Sequence, residues 1–488
     1  MKFASKLLNK LKYLTMIVLV TTVVSCDSWL DLGSEDRIME NTLFSSQAGF
    51  MTALNGVYIE LNTNELYGRN LTAGALDVMG QYYSVASSSH AFYNYGGLVY
   101  TGNDEKALFD NMWQKCYAVI ACCNTIIEKC DENKAGLSPV WRGSIKGEAL
   151  ALRAMLHFDM LRLFGPLTSE LDKESIPYQT NSDQTVTPLL SGSEVVGLIL
   201  DDLKNAVGLL KDTDPYFVEE EFSDTDLNYR RFRMNYFAAK GLMARVQLWG
   251  GDKEKAAATA KEVIAEGQAE GAEFFPFVTN SEATSSNPDR VFYSEVLFGT
   301  YHSSREKLHE DLFAPTLEST SILTLAGTAR RDDLYDNEND YRYSVWSTYN
   351  KNGTSVLYHR KFEKQDNVTA SRQYMIPLIR MSEMYLIAVE CCKLDEASVY
   401  LNTFRNARNC NSLALTEDNR INILANEYKK EMLGEGQLFF FYKRQEMVNI
   451  PDGNQATGTK NVELAKYVVP LPESETDQRI SSTDISNE

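Results

Sequence analysis

The stretch that most constrains the fold is NYFAAKGLMARVQLWGGDKEKAAATAKEVIAEG, at residues 235–267. It predicts two helices that run back on one another, because a turn at Gly250-Gly251-Asp252 separates an apolar segment from an alanine-rich one. The small residues Ala238, Ala239 and Ala244 let the two antiparallel helices approach closely. The segment is therefore predicted to form a tight helical hairpin.

A degenerate version of this pattern occupies residues 378–409, LIRMSEMYLIAVECCKLDEASVYLNTFRNARN, with a shorter turn predicted at Lys393-Leu394-Asp395. Both stretches follow the sequence logic of a tetratricopeptide unit, in which pairs of antiparallel helices stack on one another. Two such hairpins favour a mainly α-helical scaffold over a single compact bundle.

Three other windows show a helical period. Residues 139–164 begin after Ser138, a good N-cap, and carry proline at the first helical position. Residues 105–130 predict a second helix that pairs with the first as a hairpin. Residues 193–211 predict a third helix, with Ser193 as its N-cap.

Two long segments, residues 65–104 and 268–375, differ from the helical windows in composition and periodicity. They are rich in Ser, Thr, Asn, Gly and Tyr and show little helical period. Long ordered loops of this kind are uncommon unless they serve a function. We therefore expect the functional residues to lie on these loops, held in place by the helices.

The N-terminus predicts export. Four lysines precede the apolar stretch 14–24, and its eleven residues would span about 16 Å as a helix, half of the ~30 Å hydrocarbon core. A secretory signal over residues 1–25 fits better than a membrane span. Val23-Val24-Ser25 followed by Cys26 resembles the lipobox of bacterial lipoproteins, in which the cysteine is lipidated and becomes the new N-terminus. The alternative is an ordinary signal peptide with an incidental cysteine.

Charge and cysteine usage exclude several classes of protein. The formal net charge is -19, and no lysine or arginine cluster is present to neutralise phosphates, so nucleic acid is not an expected partner. Cys116, Cys123 and Cys130 recur every seven residues, about 10.5 Å apart along a helix, which is too far for a disulfide. Without a CxxC pair a structural zinc site is not expected either. The cysteines of the body are predicted to act as small apolar core residues.

Several pieces in order carry a family resemblance. They are CDSWLDLGSEDRI from Cys26, GEALALRAMLHFDMLRLFGPL at 147–167, RMSEMYLIAVE and LNTFRNAR within 380–408, NEYKKEMLGEGQLFFFYKR at 426–444, and VVPLPESE near the end. Together with the hairpin at 235–267 they resemble the SusD/RagB family of Bacteroidetes outer-membrane lipoproteins. The resemblance covers nearly the whole mature chain.

The resemblance implies a fold: a tetratricopeptide-like helical hairpin scaffold with long irregular loops and minor β structure. It also implies a division into a signal peptide at 1–25, a lipidated tether at 26–45, and a body at 46–488 with halves near 46–270 and 271–488. Members of the family bind their ligand on loops, outside the cell, as lids over a SusC-type TonB-dependent transporter.

The resemblance further implies a binding protein without catalysis, and no cofactor is expected. The expected function is binding of a glycan at the cell surface and its delivery to the transporter, with lipid-modified Cys26 as the tether to the outer membrane. The alternatives are a RagB-like protein that captures peptides, and a protein-interaction scaffold with no small ligand.

Aromatic residues on the loops are the candidate ligand contacts. A sugar presents an apolar C–H face and a hydroxyl edge, so a flat ring suits the first and Asp or Asn suits the second. The predicted contacts are Asp77, Tyr82, Tyr83, Tyr93, Asn94, Tyr95, Tyr341 and Trp346. The alternative is that these rings pack the loops onto the helices, and residues 341–350 also suit a strand with one buried face.

Catalysis is not expected from the carboxylates or the histidines. Glu383 with Glu390, or Glu431 with Glu435, would have to act as the acid pair of a glycoside hydrolase, but they lie in predicted helices where local pairing or capping is the simpler role. The histidines show no HxxxH or HExxH spacing. His157 is predicted to be a hydrogen-bonded core residue.

Overall fold

The computed structural model describes residues 39–183, 186–271, 273–335, 338–477 and 479. The predicted signal peptide, Cys26 and most of the predicted tether lie outside the described residues. In the described part, no helix is both long enough and apolar enough to cross a membrane.

Helices dominate the described part of the chain and are numbered here in chain order. They are α1 Gln47–Glu60, α2 Ala75–Met79, α3 Tyr93–Gly96, α4 Asn103–Glu132, α5 Pro139–Phe164, α6 Gly192–Thr213, α7 Asp224–Asn228, α8 Tyr236–Trp249, α9 Lys253–Gly267, α10 Asn280–Thr284, α11 Arg305–Leu312, α12 Thr328–Leu334, α13 Ala370–Gln373, α14 Met381–Cys391, α15 Leu394–Ala407, α16 Arg420–Glu431 and α17 Gln437–Arg444.

The strands are short and pair in antiparallel two-stranded sheets. Their bounds are β1 Glu174–Pro177, β2 Leu189–Ser191, β3 Val296–Tyr301, β4 Trp346–Lys351, β5 Thr354–His359, β6 Met375–Arg380, β7 Asn449–Pro451 and β8 Thr459–Asn461. The pairs are β1 with β2, β3 with β6, β4 with β5, and β7 with β8. Three of these eight strands, β3, β4 and β5, lie within the segment 268–375 that the sequence predicts as a loop.

The hairpin predicted at 235–267 is confirmed as α8 and α9. Asn235 caps α8 by accepting a hydrogen bond from the backbone N–H of Ala238 at 2.9 Å, and Asp252 caps α9 in the same way. Between them Gly251 has φ +83°, a left-handed conformation that glycine adopts without steric cost. The tight turn therefore follows directly from the glycine pair.

The second hairpin forms as α14 and α15, with two corrections. Its first helix begins at Met381, because residues 375–380 extend as β6 and hydrogen-bond to β3. Its turn lies at Cys392-Lys393, so Leu394 already belongs to the second helix. Pairing with a strand distant in sequence is a tertiary effect that helical period does not register.

Helices α4, α5 and α6 match the three other helical windows. Ser138 caps α5 as predicted, accepting from the N–H of Trp141. The predicted N-cap of α6 is wrong: the cap is Ser191, not Ser193. Ser191 and Glu194 form a reciprocal capping box that fixes the helix start two residues earlier.

The long helices stack in sequence order around one continuous apolar core. α4 packs on α5, α5 on α6, α6 on α8, α8 on α9, α9 on α14, and α14 on α15. This succession of antiparallel neighbours confirms the prediction of a mainly α-helical, tetratricopeptide-like scaffold. The boundary predicted near residue 270 stays a prediction, since the core includes residues from both halves.

The cysteines of the described residues are free thiols, and most of them are buried as predicted. Cys391 is half-buried, and Cys122 is exposed on α4 while its neighbour Cys123 is buried. His157 is buried, and both ring nitrogens are bonded, to the carbonyl of Arg153 and the N–H of Gln179, each at 3.0 Å. The prediction for His157 is thus confirmed.

A buried charge network fastens α16 to the rest of the scaffold. Glu431 accepts hydrogen bonds from Arg408 at 2.7 Å, from Arg342 at 3.2 Å and from Arg380. All four side chains are almost completely enclosed. Further members continue the network: Glu295, Asp340, Lys361, Arg405, Glu427, Lys430 and Glu435.

The two other glutamates considered as catalytic acids, Glu383 and Glu390, pair with arginines of other helices rather than with residues nearby in the sequence. Glu383 accepts from Arg245 at 2.6 Å, and Glu390 accepts from Arg444 at 2.8 Å. Both bonds join residues far apart in the chain, which corrects the expectation of local pairing.

Candidate functional site

The two aromatic loops predicted to bind ligand meet in space. Residues 320–325 lie between the first loop and β5, and they hydrogen-bond to both. The N–H of Ser84 donates to the carbonyl of Thr324 at 2.8 Å, and the N–H of Ala91 donates to Thr320 at 3.3 Å. On the other side, Thr324 Oγ1 donates to the carbonyl of Leu357 at 2.6 Å. We call this region the loop junction.

Beneath the surface of the loop junction, packed rings join the two loops. The centroid of Tyr83 lies 5.8 Å from that of Phe313, Phe313 lies 4.8 Å from His359, and His359 lies 5.2 Å from Trp346. The indole N–H of Trp346 donates to Tyr335 Oη at 3.2 Å. These rings therefore supply packing between the loops, as the alternative interpretation of the aromatic residues expects.

Asp77 lies in the interior and joins α2 to the turn between α16 and α17. Its carboxylate accepts from the N–H of Gly434 at 2.6 Å, from the N–H of Gly436 at 3.0 Å and from Tyr83 Oη at 3.3 Å. Burial raises the pKa of Asp77 to about 7, although the two N–H donors favour its charged form. The hydrogen-bond acceptors of the Asp77 carboxylate are therefore satisfied by donors within the protein.

The structure separates the predicted contacts into buried and accessible residues. Tyr82, Tyr83, Tyr95 and Trp346 are buried, so their rings offer little surface to a ligand from solvent. Tyr93, by contrast, is 43% exposed. The assignment of all five aromatic residues as ligand contacts stays a prediction.

The remaining two predicted contacts are partly exposed. Asn94 donates from Nδ2 to Glu105 at 3.2 Å, beside Tyr93. Tyr341 lies away from the loop junction, where its hydroxyl accepts from Asn280 at 2.8 Å. An exposed ring of the same segment, Tyr349, is 44% accessible on the outer face of β4 and was not among the predicted contacts.

A cavity of about 200 Å³ opens beside Tyr82. Its wall combines apolar groups with polar ones from four parts of the chain. They are Gln81, Tyr82, Leu325, Arg330, Asp333, Leu334, Lys429, Leu438, Pro451, Gly458 and Thr459. Drug-sized pockets begin at about 300 Å³, so this cavity suits a single ring rather than a chain of several.

Two cations line the cavity without an ion pair. Arg330 is only 8% exposed, and among the described residues no carboxylate or carbonyl lies within hydrogen-bonding distance of its guanidinium. Lys429 likewise has no carboxylate within 4 Å in the described part of the chain. Burial, together with the charge of Arg330, lowers the pKa of Lys429 to about 8. Both groups can therefore donate to something in the cavity.

Sequence reasoning missed Arg330 and Lys429. Each lies in a charge-rich helix, TARRDDL and RINILANEYKKE, where single basic residues are typical of a solvated face. Arg330 and Lys429 differ from such residues because they lie beside a cavity and form no ion pair. The spacing of residues in the sequence does not predict this arrangement.

Two grooves are larger than this cavity, at about 540 and 560 Å³. Both lie along α4, where it meets the C-terminal residues 469–479. Neither includes a predicted ligand contact. Arg479 and Lys106, the basic groups on their walls, are already paired with Glu475 and Glu473. We therefore take the smaller cavity at Tyr82 as the candidate site.

No cluster of His, Cys, Asp and Glu suited to a metal ion occurs among the described residues. Within the same residues, the carboxylates considered for hydrolysis are engaged with arginines and lysines in the core.

The architecture defines a class: a helical-repeat scaffold whose loops and helices line a small cavity with apolar and charged groups. Two family models match the chain. One, described as "Starch-binding associating with outer membrane", matches residues 28–248, and one described as "SusD family" matches residues 287–480. Together they account for most of the chain. The chain belongs to the SusD/RagB family.

Individual relatives agree with this assignment. SusD-like protein P2 of Formosa agariphila is 22% identical, across 94% of this chain and 96% of its own length. The crystal structure of a SusD-like carbohydrate binding protein from Bacteroides vulgatus superposes with a TM-score of 0.68 at 20% identity, over 88% of this chain and 96% of that one. A "Laminarin binding SusD-like protein" superposes with a TM-score of 0.64 at 17% identity, covering 88% and 97%. At these identities the structures establish a shared fold.

Proposed function

We propose that this protein binds a glycan at the outer surface of the cell and delivers it to a SusC-type TonB-dependent transporter in the outer membrane. The observation that carries the proposal is the loop junction, where two aromatic loops far apart in sequence meet, with a cavity beside Tyr82 of the first loop. The names of two structural relatives, a carbohydrate binding protein and a laminarin binding protein, agree with such a role.

The lining of the cavity supports a binding role. The cavity at Tyr82 presents one carboxylate, Asp333, and glycoside hydrolysis requires a pair. The groups on its wall hold and orient a ligand, since apolar surface faces the ring while Arg330, Lys429 and Asp333 meet its polar substituents.

The exposed rings at the junction give the proposal a test. Tyr93 and Tyr349 belong to loops that flank residues 316–320, with Ala91 bonded to Thr320 and Lys351 bonded to the carbonyl of Leu317 at 2.9 Å. We expect Tyr93→Ala and Tyr349→Ala each to weaken glycan binding roughly 3- to 10-fold, because each removes a stacking surface. Affinity-gel electrophoresis across a panel of soluble glycans, followed by calorimetry on those retained, measures this.

Tyr229→Ala is the matched control, because Tyr229 is a comparably exposed ring outside the loop junction. Equal losses in all three variants would contradict a binding surface at the junction. Retention of peptides but of no glycan would replace the proposal by peptide capture. Retention of neither would leave a protein-interaction scaffold.

Localisation rests on Cys26, which lies outside the described residues. We expect Cys26→Ala to move the protein from the membrane fraction to the soluble fraction, because acyl chains on this cysteine supply its hold on the bilayer at ~0.8 kcal/mol per buried methylene. Fractionation of cells with immunoblotting measures the change.

Cys122→Ala serves as the control for Cys26→Ala, since Cys122 is a solvent-exposed thiol in the folded body. It should leave the distribution unchanged. If the Cys26→Ala protein still fractionates with the outer membrane, the lipid tether is wrong and docking to a membrane partner must hold the protein.

A further inference from the structure

The charge on the wall of the candidate cavity defines the class of ligand, given the glycan-binding function proposed above. Arg330 is the key group, because its side chain is more than nine-tenths buried and has no hydrogen-bonding partner among the described residues. A largely buried guanidinium without a counter-charge costs the folded protein free energy.

Two other buried arginines, Arg380 and Arg408, are paired with carboxylates. Arg380 donates to Glu435 at 3.0 Å, and Arg408 donates to Glu295 at 2.7 Å. The acids Asp333 and Asp452 act on Arg330 only through space, without a hydrogen bond or ion pair. Arg330 lines the cavity instead.

Lys429 doubles the positive charge of this wall. Lys429 also lines the cavity, and with a pKa of about 8 it is mainly protonated at neutral pH. Asp333 supplies the one negative charge of the lining, from an exposed position. The enclosed part of the cavity is therefore positive, within a chain whose net charge is strongly negative.

We propose that the cavity binds an acidic glycan, placing a carboxylate or sulfate group of one sugar ring between Arg330 and Lys429. Guanidinium and ammonium groups form charge-assisted hydrogen bonds with such oxyanions, about twice as strong as neutral ones. Leu334 and Pro451, which are partly exposed on the cavity wall, supply apolar surface for the ring, and Asp333 can accept from its hydroxyls.

The size of the cavity limits what enters. A volume of about 200 Å³ admits one ring with its charged substituent, so the rest of the glycan lies outside, over the junction. The site therefore discriminates by one acidic sugar and not by the length of the chain.

Matched pairs of probes test the proposal with the full-length mature protein. Oligogalacturonate and its methyl ester share a backbone but differ in charge, and dextran sulfate and dextran form the corresponding sulfate pair. We expect the charged member of at least one pair to bind, with a preference of roughly 10- to 100-fold over its neutral partner. The two pairs separate carboxylate from sulfate recognition. Binding of the acidic probe should weaken as NaCl is raised.

Variants identify the groups responsible. Arg330→Gln and Lys429→Gln should each remove most of the preference for the charged probe. Arg331→Gln is the matched control, because this neighbouring arginine is paired with Asp332 and stacks on Tyr343 outside the cavity. Asp333→Asn should strengthen binding of the acidic probe by roughly 2- to 5-fold, a gain that misfolding cannot produce.

The binding measurements on these variants either support or overturn recognition of an acidic glycan. Loss of the preference in the Arg330 and Lys429 variants alone, with a gain in Asp333→Asn, supports the proposal. Equal binding of charged and neutral probes, or a preference unaffected by these variants, overturns it while the proposed glycan-binding function stands. Binding of no glycan in either series overturns both.

Discussion

Glu431→Ala is expected to lower the free energy of unfolding by about 3–5 kcal/mol. The carboxylate of Glu431 is fully buried and accepts from three guanidinium groups, on Arg342, Arg380 and Arg408. Removing it leaves these positive charges facing one another in the core without their shared partner. Because α16 carries Glu431, we expect the helix to loosen from the scaffold.

Guanidinium unfolding followed by circular dichroism measures the loss as a shift of the midpoint. Glu473→Ala is the control, because Glu473 forms an ion pair of 2.6 Å with Lys106 but its side chain is 72% exposed. That pair should contribute about 0–1 kcal/mol. Glu431→Gln separates charge from volume, since it keeps the size of the side chain. A loss below about 1 kcal/mol in Glu431→Gln would contradict a dominant role of charge.

The pH dependence of the network has a definite sign. The surrounding arginines hold the pKa of Glu431 well below its ordinary value, despite the opposing effect of burial. A carboxylate with a depressed pKa stabilises the fold above its unfolded pKa, and this stability is lost as pH falls. Acidification below about pH 4.5 should therefore destabilise the wild type more than Glu431→Gln.

Asp77→Ala is expected to lower the free energy of unfolding by about 2–4 kcal/mol at pH 5. It leaves the N–H groups of Gly434 and Gly436 without an acceptor in the core. The turn cannot easily rearrange, because both glycines have positive φ, and a Cβ on Gly436 would lie 2.3 Å from the carbonyl oxygen of Leu71. The loss should be visible as a shift in the thermal midpoint.

The effect of Asp77 should decrease as pH rises, which is the opposite sign to Glu431. Its pKa is raised to about 7, so the folded state binds a proton that the unfolded state releases near pH 4. The stability contributed by that proton is lost between about pH 4 and pH 7, and it amounts to roughly 3–4 kcal/mol. Unfolding curves at pH 5 and pH 8 measure the difference.

Asp201→Ala provides the baseline, because Asp201 is exposed on α6 and should change stability by less than about 0.5 kcal/mol at either pH. Equal destabilisation by Asp77→Ala at pH 5 and pH 8 would show that Asp77 titrates normally.

The helical scaffold could be predicted from local signals in the sequence. Ser138 and Pro139 start α5, and Gly250-Gly251 ends α8, because capping and turn chemistry act between residues a few positions apart. The N-cap of α6 shows the limit of the same reasoning. Two serines stand near the start of that helix, and only the reciprocal bond with Glu194 selects Ser191.

Aromatic richness located the region of the site but not its working residues. The loops containing Tyr82 and Trp346 do meet at the junction, as the hypothesis of a shared site required. Composition alone does not tell a ring that packs a loop from a ring that faces a ligand, because tyrosine serves both purposes. Asp77 shows the same ambiguity, since its partners lie more than three hundred residues away in the chain.

By itself, the sequence determined the helical scaffold, the family and the loops on which a site would lie, because helical period, caps, glycine turns and ordered motifs are local properties. The tertiary structure alone decided which charges are neutralised. Glu431 is paired with three arginines, whereas Arg330 and Lys429 line a cavity without an ion pair. Whether a charged side chain is paired depends on what distant segments bring to it, and burial multiplies the energetic consequence.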